Sequence, residues 1–374
     1  MNTPIYLDYN ATTPILKEVA DAMKPYLYEH FGNPSSSHIY GQKTKSAIDI
    51  ARNQVAKLLN CSSNEIIFTS GGSESNNYAI KGYAFANKHR GNHIITSSIE
   101  HPAVLEVCGF LETKGFEVTY LPVDKNGRVE EAIFEKAIKP NTILATIMHA
   151  NNEVGVIQPI KQLVEIAHRN GVIFHTDAAQ SVGKIETDVQ EMGIDMMSVA
   201  AHKFYGPKGI GVLFIKDGIK LEKLIHGANH ERNLRAGTEN IIEIVGIGKA
   251  AEIANNNLQS NMKHYADMRD LFESSIKEKF PSIIINGENV QRLPNTSSIS
   301  IPNVEANTLL DKLDGIAASA GAACHSETIN VSTVLEAMKI PIKYAMGTIR
   351  FSVGVFTKNE DIRFVIDTLN NELM

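Results

Sequence analysis

The chain has 374 residues, 43% hydrophobic and 21% charged, with a formal net charge of −6. At ~100–200 residues per domain this is an ordinary globular composition for two domains, and the acidic balance argues against direct binding to nucleic acid or an anionic membrane surface. No apolar run approaches the ~18–20 residues of a spanning helix, Met1-Asn2-Thr3-Pro4 lacks the basic flank and apolar stretch of a signal peptide, and Cys61, Cys108 and Cys324 are too few and scattered for a disulfide framework or a zinc site. The expectation is a cytoplasmic protein with free thiols and no metal.

Ala47, Ile48, Ala51, Val55, Leu58 and Leu59 fall on one face at helical spacing. Glu65–Thr69 reads as a short buried strand, broken by Gly71-Gly72, and Ser73-Glu74-Ser75-Asn76-Asn77 opens a new helix. Strand-like runs follow at Ile94–Thr96, Val118–Leu121, Thr142–Met148, Val172–His175, Met196–Val199 and Ile210–Ile215, with helical stretches such as Ala103–Lys114 and Ile160–Asn170 between them. This alternation predicts an α/β fold with a mostly parallel sheet and helices on both faces. From about Glu239 to Phe280 the pattern is helical, long enough to bridge two domains. The runs Ile283–Ile285, Ser297–Ile301 and Ile316–Ala318, with helices among and after them, predict a smaller α+β unit beyond a boundary near residue 255.

Four segments carry chemistry. Ser70-Gly71-Gly72-Ser73-Glu74-Ser75 joins a strand to a helix, where free N–H groups favour phosphate; an ordinary turn with Ser73 as N-cap is the plainer reading. Phe174-His175-Thr176-Asp177 ends an apolar strand, and a carboxylate there lies where α/β sheets bind ligands and could pair with a protonated pyridine nitrogen; a helix cap is the alternative. In Val199-Ala200-Ala201-His202-Lys203, a lysine directly after an apolar strand is poorly placed for a solvated charge. Desolvation would lower its pKa and suit it to a Schiff base, unless it snorkels to the surface. Ala322-Ala323-Cys324-His325-Ser326 sets a thiol among small and polar residues, which reads as an accessible loop. There, near the ordinary pKa of ~8.5, the thiol is partly thiolate. Cys61 and Cys108 read as structural. Gly246-Ile247-Gly248-Lys249-Ala250-Ala251 matches GxGxxA but lies inside a helical run with no strand ahead of it, so it does not mark a dinucleotide site.

In this order the segments resemble the NifS/IscS-like cysteine desulfurases and their close relatives, the selenocysteine lyases. The resemblance also covers Tyr6-Leu7-Asp8-Tyr9-Asn10-Ala11-Thr12-Thr13-Pro14, Phe31-Gly32-Asn33-Pro34, Glu100-His101, Asn151-Asn152-Glu153-Val154-Gly155, His230–Thr238 and Ile349-Arg350-Phe351-Ser352. It implies the fold type I architecture of pyridoxal-phosphate (PLP) enzymes, with a large cofactor domain over residues 15–255, a small domain formed by 1–14 and 256–374, and a homodimer with its sites at the interface. By this resemblance Lys203 would hold PLP as a Schiff base, Asp177 would pair with the ring nitrogen and His101 would stack on the ring. Gln180 and Asn152 would position the ring oxygen side. Gly72, Ser73 and His202 would bind the phosphate, with Thr238 reaching it from the other subunit, and Arg350 would clamp the substrate carboxylate with Asn33 nearby. The family often has a phosphate-binding hydroxyl where this chain has Ala200, so one phosphate hydrogen bond is expected to be missing or replaced.

The implied reaction converts L-cysteine to L-alanine, with Lys203 as base and Cys324 taking the sulfur as a persulfide for an acceptor protein. The Ala-Ala-Cys-His-Ser sequence is similar to the selenocysteine lyases, which leaves L-selenocysteine as an alternative substrate. The ten residues from Cys324 to Val334 resemble the longer loop of desulfurases that hand sulfur to a scaffold, and this favours the desulfurase. An aminotransferase, or a catalytically silent partner subunit, would be a third reading; the thiol-bearing segment opposes the first, and Lys203, Asp177 and Cys324 together oppose the second. The end at Glu372-Leu373-Met374 leads to the expectation that the scaffold-holding C-terminal extension is absent.

Overall fold

The structure, a computed structural model, describes residues 4–325 and 328–373, and for 322–325 and 328–330 the backbone alone. Seven strands form the main sheet in the spatial order Ile66–Thr69, Gly211–Ile215, Met196–Ala200, Ile173–Asp177, Thr142–Thr146, His93–Ser97, Glu117–Leu121. Pairing is parallel from Met196–Ala200 to Glu117–Leu121. Gly211–Ile215 runs antiparallel to both its neighbours. The link over residues 201–210 is shorter than the dozen or more residues that a parallel crossover needs.

The sheet is buried on both faces because its strands are apolar at consecutive positions. Phe68, Ile95, Ala145, Phe174, Met197 and Phe214 face a core shared with the helices Ile39–Leu59 and Ile160–Arg169. Their neighbours Ile67, Ile94, Leu144, Met196 and Leu213 face a second core with the helices Gly72–Ala86 and Pro102–Glu112. The period of two along each strand divides such runs between opposite faces.

A helix of 39 residues, Ile241–Lys279, follows. Ile244, Ile247, Ala251 and Ala254 belong to the first core. Tyr265, Met268, Phe272 and Ile276 belong to another, formed with Leu7, Ile299, Phe351 and Val365. The helix thus spans both. The GxGxxA match is a packing feature: a Cβ on Gly248 would lie 2.5 Å from that of Ala51, so glycine lets this helix approach Ile39–Leu59.

The second unit holds an antiparallel sheet in the order Ser319–Ala320, Thr348–Ser352, Thr296–Ser300, Ile284–Ile285. The expected strand at Ile316–Ala318 is Ile316–Ala317, and it pairs in parallel with Ile5–Tyr6 instead of joining this sheet. The expected loop at Cys324 is, in its backbone, a hairpin: Ala322–His325 pairs antiparallel with Thr328–Val331, with Cys324 opposite Ile329. β-Branched residues on the returning strand favour that pairing. Among the described residues no helix is long and apolar enough to cross a membrane.

Candidate active site

The chemistry gathers at the C-terminal ends of the main-sheet strands. Asp177 is the last residue of Ile173–Asp177. Its buried carboxylate accepts from Asn76 Nδ2 at 2.6 Å and from the Ala179 N–H at 2.9 Å. Beneath it His175 lies between Thr146 and Ser198, at 2.8 and 2.9 Å, and burial pushes its pKa down to about 3. The Asp177 carboxylate therefore stands over a neutral, hydrogen-bonded ring.

Lys203 closes a single 3-10 turn, Ala201–Lys203, directly after Met196–Ala200. It does not snorkel. Its Nζ donates to the carbonyls of Asn10 and Ala11, at 2.7 and 2.9 Å. Burial and then the Arg350 cation lower its pKa to about 8, with Asp177 and Asp8 opposing. The preceding His202 meets Thr12 Oγ1 through Nδ1 at 3.1 Å. Burial, followed by the nearby lysines, pushes its pKa down to about 4, so it is neutral at pH 7.

Gly72–Ala86 begins where the strand Ile66–Thr69 ends. Gly71 occupies the N-cap position with no side-chain cap, and Ser73 lies inside the first turn, so the plain reading of Ser73 as N-cap does not hold. Glu74 turns back to accept the Ser70 N–H at 2.7 Å and is held by Arg235 at 2.9 Å. The other first-turn N–H groups have no partner within the helix, as in any helix start.

His101 caps Pro102–Glu112, its Nδ1 accepting the Ala103 N–H at 3.1 Å. That bond puts the proton of the neutral ring on Nε2. Burial lowers its pKa, with Asp177 opposing and Lys203 adding to the effect. Glu100 anchors the turn from below, accepting from Ser97 Oγ at 2.5 Å and the Met148 N–H at 2.9 Å. Its burial raises its pKa to about 8.

These elements enclose a cavity of about 200 Å³ lined by Gly72, Ser73, His101, Asn152, Asp177, Gln180, Ala200, His202 and Lys203. Three other expected residues are not in its lining. Arg350 lies behind it: Nη1 donates to the Asn152 carbonyl at 2.9 Å, and Nη2 donates to Asp8 Oδ1 at 2.7 Å and Ser319 Oγ at 3.1 Å. Its buried Nε has no partner among the described residues. Asn33 and Thr238 are exposed and do not line the cavity. The Cys324 side chain lies outside the described residues. Burial pushes the Cys61 and Cys108 thiols up to about 12, which leaves them largely unionised.

Sequence reasoning gave no role to Asn10, Asn76, Asp8 or Lys184. Asn10 is a hub. Its carbonyl takes Gln180 Nε2 at 2.9 Å as well as Lys203, its Nδ2 donates to the Asn152 carbonyl at 3.2 Å, and its Oδ1 takes Lys184 Nζ at 3.0 Å. Its position within Tyr6–Pro14 was the only signal.

A parallel-sheet fold with a lysine, a carboxylate and a helix start around one cavity defines a class of protein. The family model for aminotransferase class-V matches residues 5–365. The chain is 50% identical over 371 residues to cysteine desulfurase IscS of Dictyoglomus turgidum, covering 99% of this chain and 94% of that one. A solved NifS-like protein superposes with a TM-score of 0.93 at 37% identity, covering 99% of each chain. A second solved structure, SspA in complex with cysteine, gives a TM-score of 0.84 at 40% identity and covers 94% of this chain and 99% of that one. The chain belongs to the aminotransferase class-V family, among the IscS- and NifS-like cysteine desulfurases.

Proposed function

We propose that the protein is a cysteine desulfurase that uses PLP to convert L-cysteine to L-alanine, leaving sulfur as a persulfide on Cys324 for an acceptor protein. The observation that carries this reading is the convergence of Lys203, Asp177 and the Gly72–Ser73 helix start on one cavity. Relatives named cysteine desulfurase across almost the full length, and a neighbour solved with cysteine, support the same substrate.

The residues present fit PLP, the cofactor on which the family depends. The helix start offers N–H groups to a phosphate, the buried Asp177 carboxylate suits a protonated ring nitrogen, and the Lys203 amine suits an aldehyde. When bound, PLP supplies the electron sink for the charge left when the substrate's α-proton departs. Lys203 takes and returns that proton, and a pKa of about 8 leaves it a useful base near neutral pH. His101, neutral with its proton on Nε2, can donate into the cavity. The substrate carboxylate falls to Arg350, which Asp8 and the Asn152 carbonyl hold just outside the cavity lining, so its guanidinium has to turn toward the substrate on binding. The Cys324 thiolate attacks the substrate sulfur: an S–S bond forms, the Cβ–S bond breaks, and its electron pair takes a proton to give alanine. No external oxidant or reductant is needed.

The deciding experiment measures alanine from L-cysteine and from L-selenocysteine with wild type and Cys324→Ala. The variant should lose at least about a hundredfold with cysteine while keeping its PLP absorbance. Undiminished persulfide formation by Cys324→Ala would overturn the proposal. Turnover of selenocysteine alone would make the protein a lyase.

Ala200 adds a second expected result. A Cβ built on Gly72 would lie 3.4 Å from that of Ala200, so this side chain sits beneath the helix start. A hydroxyl there should add one charge-assisted hydrogen bond, and Ala200→Ser should tighten PLP about tenfold in a titration of cofactor-free protein. Unchanged affinity would mean that backbone or water already fills that role.

We also infer a homodimer. Leu27, Tyr28, Phe31, Ile39 and Tyr40 are large, exposed apolar side chains on either side of Asn33, and the Phe31 and Tyr40 rings stack at 5.6 Å. An exposed apolar patch of this kind suits a second copy. Thr238, exposed and away from its own chain's cavity, would then serve the partner's site.

A further inference from the structure

Lys184 is 4% exposed, and burial places its pKa well below the usual lysine value, with the nearby Lys203 and Arg350 cations adding to the effect. Its Nζ donates to two amide oxygens, Asn10 Oδ1 at 3.0 Å and Gln180 Oε1 at 2.9 Å. Among the described residues no acidic side chain holds it, and an amine without a counter-charge is costly to bury. Nothing in the proposed reaction uses it.

Its surroundings show what it does. Gln180 Nε2 donates to the Asn10 carbonyl, and Asn10 Nδ2 donates to the Asn152 carbonyl. A carbonyl only accepts, so both amides present their NH₂ groups on these sides and their oxygens on the other. Both oxygens converge on Lys184, a donor to each. Asn10 Oδ1 also accepts from Asn295 Nδ2 at 3.0 Å and keeps that bond without the lysine, whereas Gln180 Oε1 has no other donor among the described residues; without Lys184 the Gln180 amide would be held on its NH₂ side alone. With it, one Gln180 Nε2 hydrogen goes to Asn10 and the second is left for an acceptor in the cavity, whose wall Gln180 forms. Backbone geometry sets this up: Gly183, at φ 76°, brings the chain against Phe204, where a Cβ would lie 2.7 Å from the Phe204 Cβ. Lys184 thereby reaches the underside of the site, next to the Lys203 turn.

We propose that Lys184 is a positioning residue that locks the Gln180 amide from its oxygen side, so that Gln180 offers an N–H, and not its oxygen, to the cofactor's ring oxygen. The proposal rests on the reading of the cavity as a PLP site. It acts through Gln180, so its effect disappears when Gln180 is removed.

The test is a cycle of Lys184→Met, Gln180→Ala and the double variant, with PLP affinity read by titrating cofactor-free protein and the absorption spectrum recorded for each loaded form. Lys184→Met should weaken PLP about fivefold to tenfold and shift its absorption maximum. It should add nothing in the Gln180→Ala background. Lys184→Gln, which can still donate to one oxygen, should recover part of the affinity and serves in place of Lys184→Met if that variant fails to fold. Equal losses in both backgrounds, or a lowered melting temperature with unchanged PLP affinity and spectrum, would overturn the proposal. A wild-type protein that takes up no PLP would instead overturn the function proposed for the cavity, and this inference with it.

Discussion

Lys203→Ala should lower alanine formation from L-cysteine at least about a thousandfold, because one substitution removes both the covalent anchor and the base. The fold should survive, since the amine's two partners are backbone carbonyls next to a cavity that water can fill. The lysine also predicts a pH dependence that needs no substrate. With a pKa of about 8 in the cofactor-free protein, the amine is mostly protonated below pH 8 and mostly neutral above it. Only the neutral form attacks an aldehyde. The rate at which cofactor-free protein captures PLP should therefore rise with pH and level off above about 8, well below the ~10.4 of an ordinary lysine. Stopped-flow absorbance between pH 6 and 10 measures it. A rate still climbing steeply at pH 10 would show that the amine is not desolvated.

The second large effect is on stability. Arg52, on the helix Ile39–Leu59, and Glu231 form a buried bidentate pair with both contacts at 2.7 Å. The pair also closes a sheet edge: Arg52 donates to the Ile66 carbonyl at 2.8 Å, Glu231 accepts the Phe68 N–H at 3.0 Å, and the guanidinium lies 4.7 Å from the Phe68 ring centre. Removing one partner leaves the other charged and buried. Arg52→Ala should cost about 3–5 kcal/mol, read as a lower urea midpoint. Adding Glu231→Gln should restore part of the loss, because it removes the stranded charge. A cost below about 1 kcal/mol would mean that water reaches the pair. Glu231, Arg232 and Asn233 all have left-handed backbones, at φ 46°, 54° and 65°. Such a run is unfavourable for residues with a Cβ, and the ion pair holds its first residue in place.

The main sheet was legible because its strands are apolar and separated by helical patterns. The mostly parallel direction was legible from the helices between the strands; the antiparallel Gly211–Ile215 was not, since a period of two looks the same whichever way a strand runs, and it shows only in the shortness of the link before it. Lys203 and Asp177 were legible as polar residues at the ends of apolar strands. Asn10 and Lys184 were not, because their meaning lies in contacts across 193 and 174 residues, and the one local mark on either is the place of Asn10 within Tyr6–Pro14. The Cys324 hairpin was missed because Ala322-Ala323-Cys324 carries little strand preference of its own and borrows its pairing from Thr328–Val331. Asp8, paired with Arg350, lies within Tyr6–Pro14, but its partner is 342 residues away.

The Asn10 hub also sets which parts of the molecule must be in place together for the site to exist. Its side chain is held by Thr296 at 2.8 Å and Asn295 at 3.0 Å, and its backbone N–H by Ser352 Oγ at 2.9 Å. On its other side the same residue meets Lys203, Gln180, Lys184 and the Asn152 carbonyl. The resting place of the lysine amine is therefore shared between the two sheets, and loosening the smaller antiparallel one would disturb an amine that the main sheet carries.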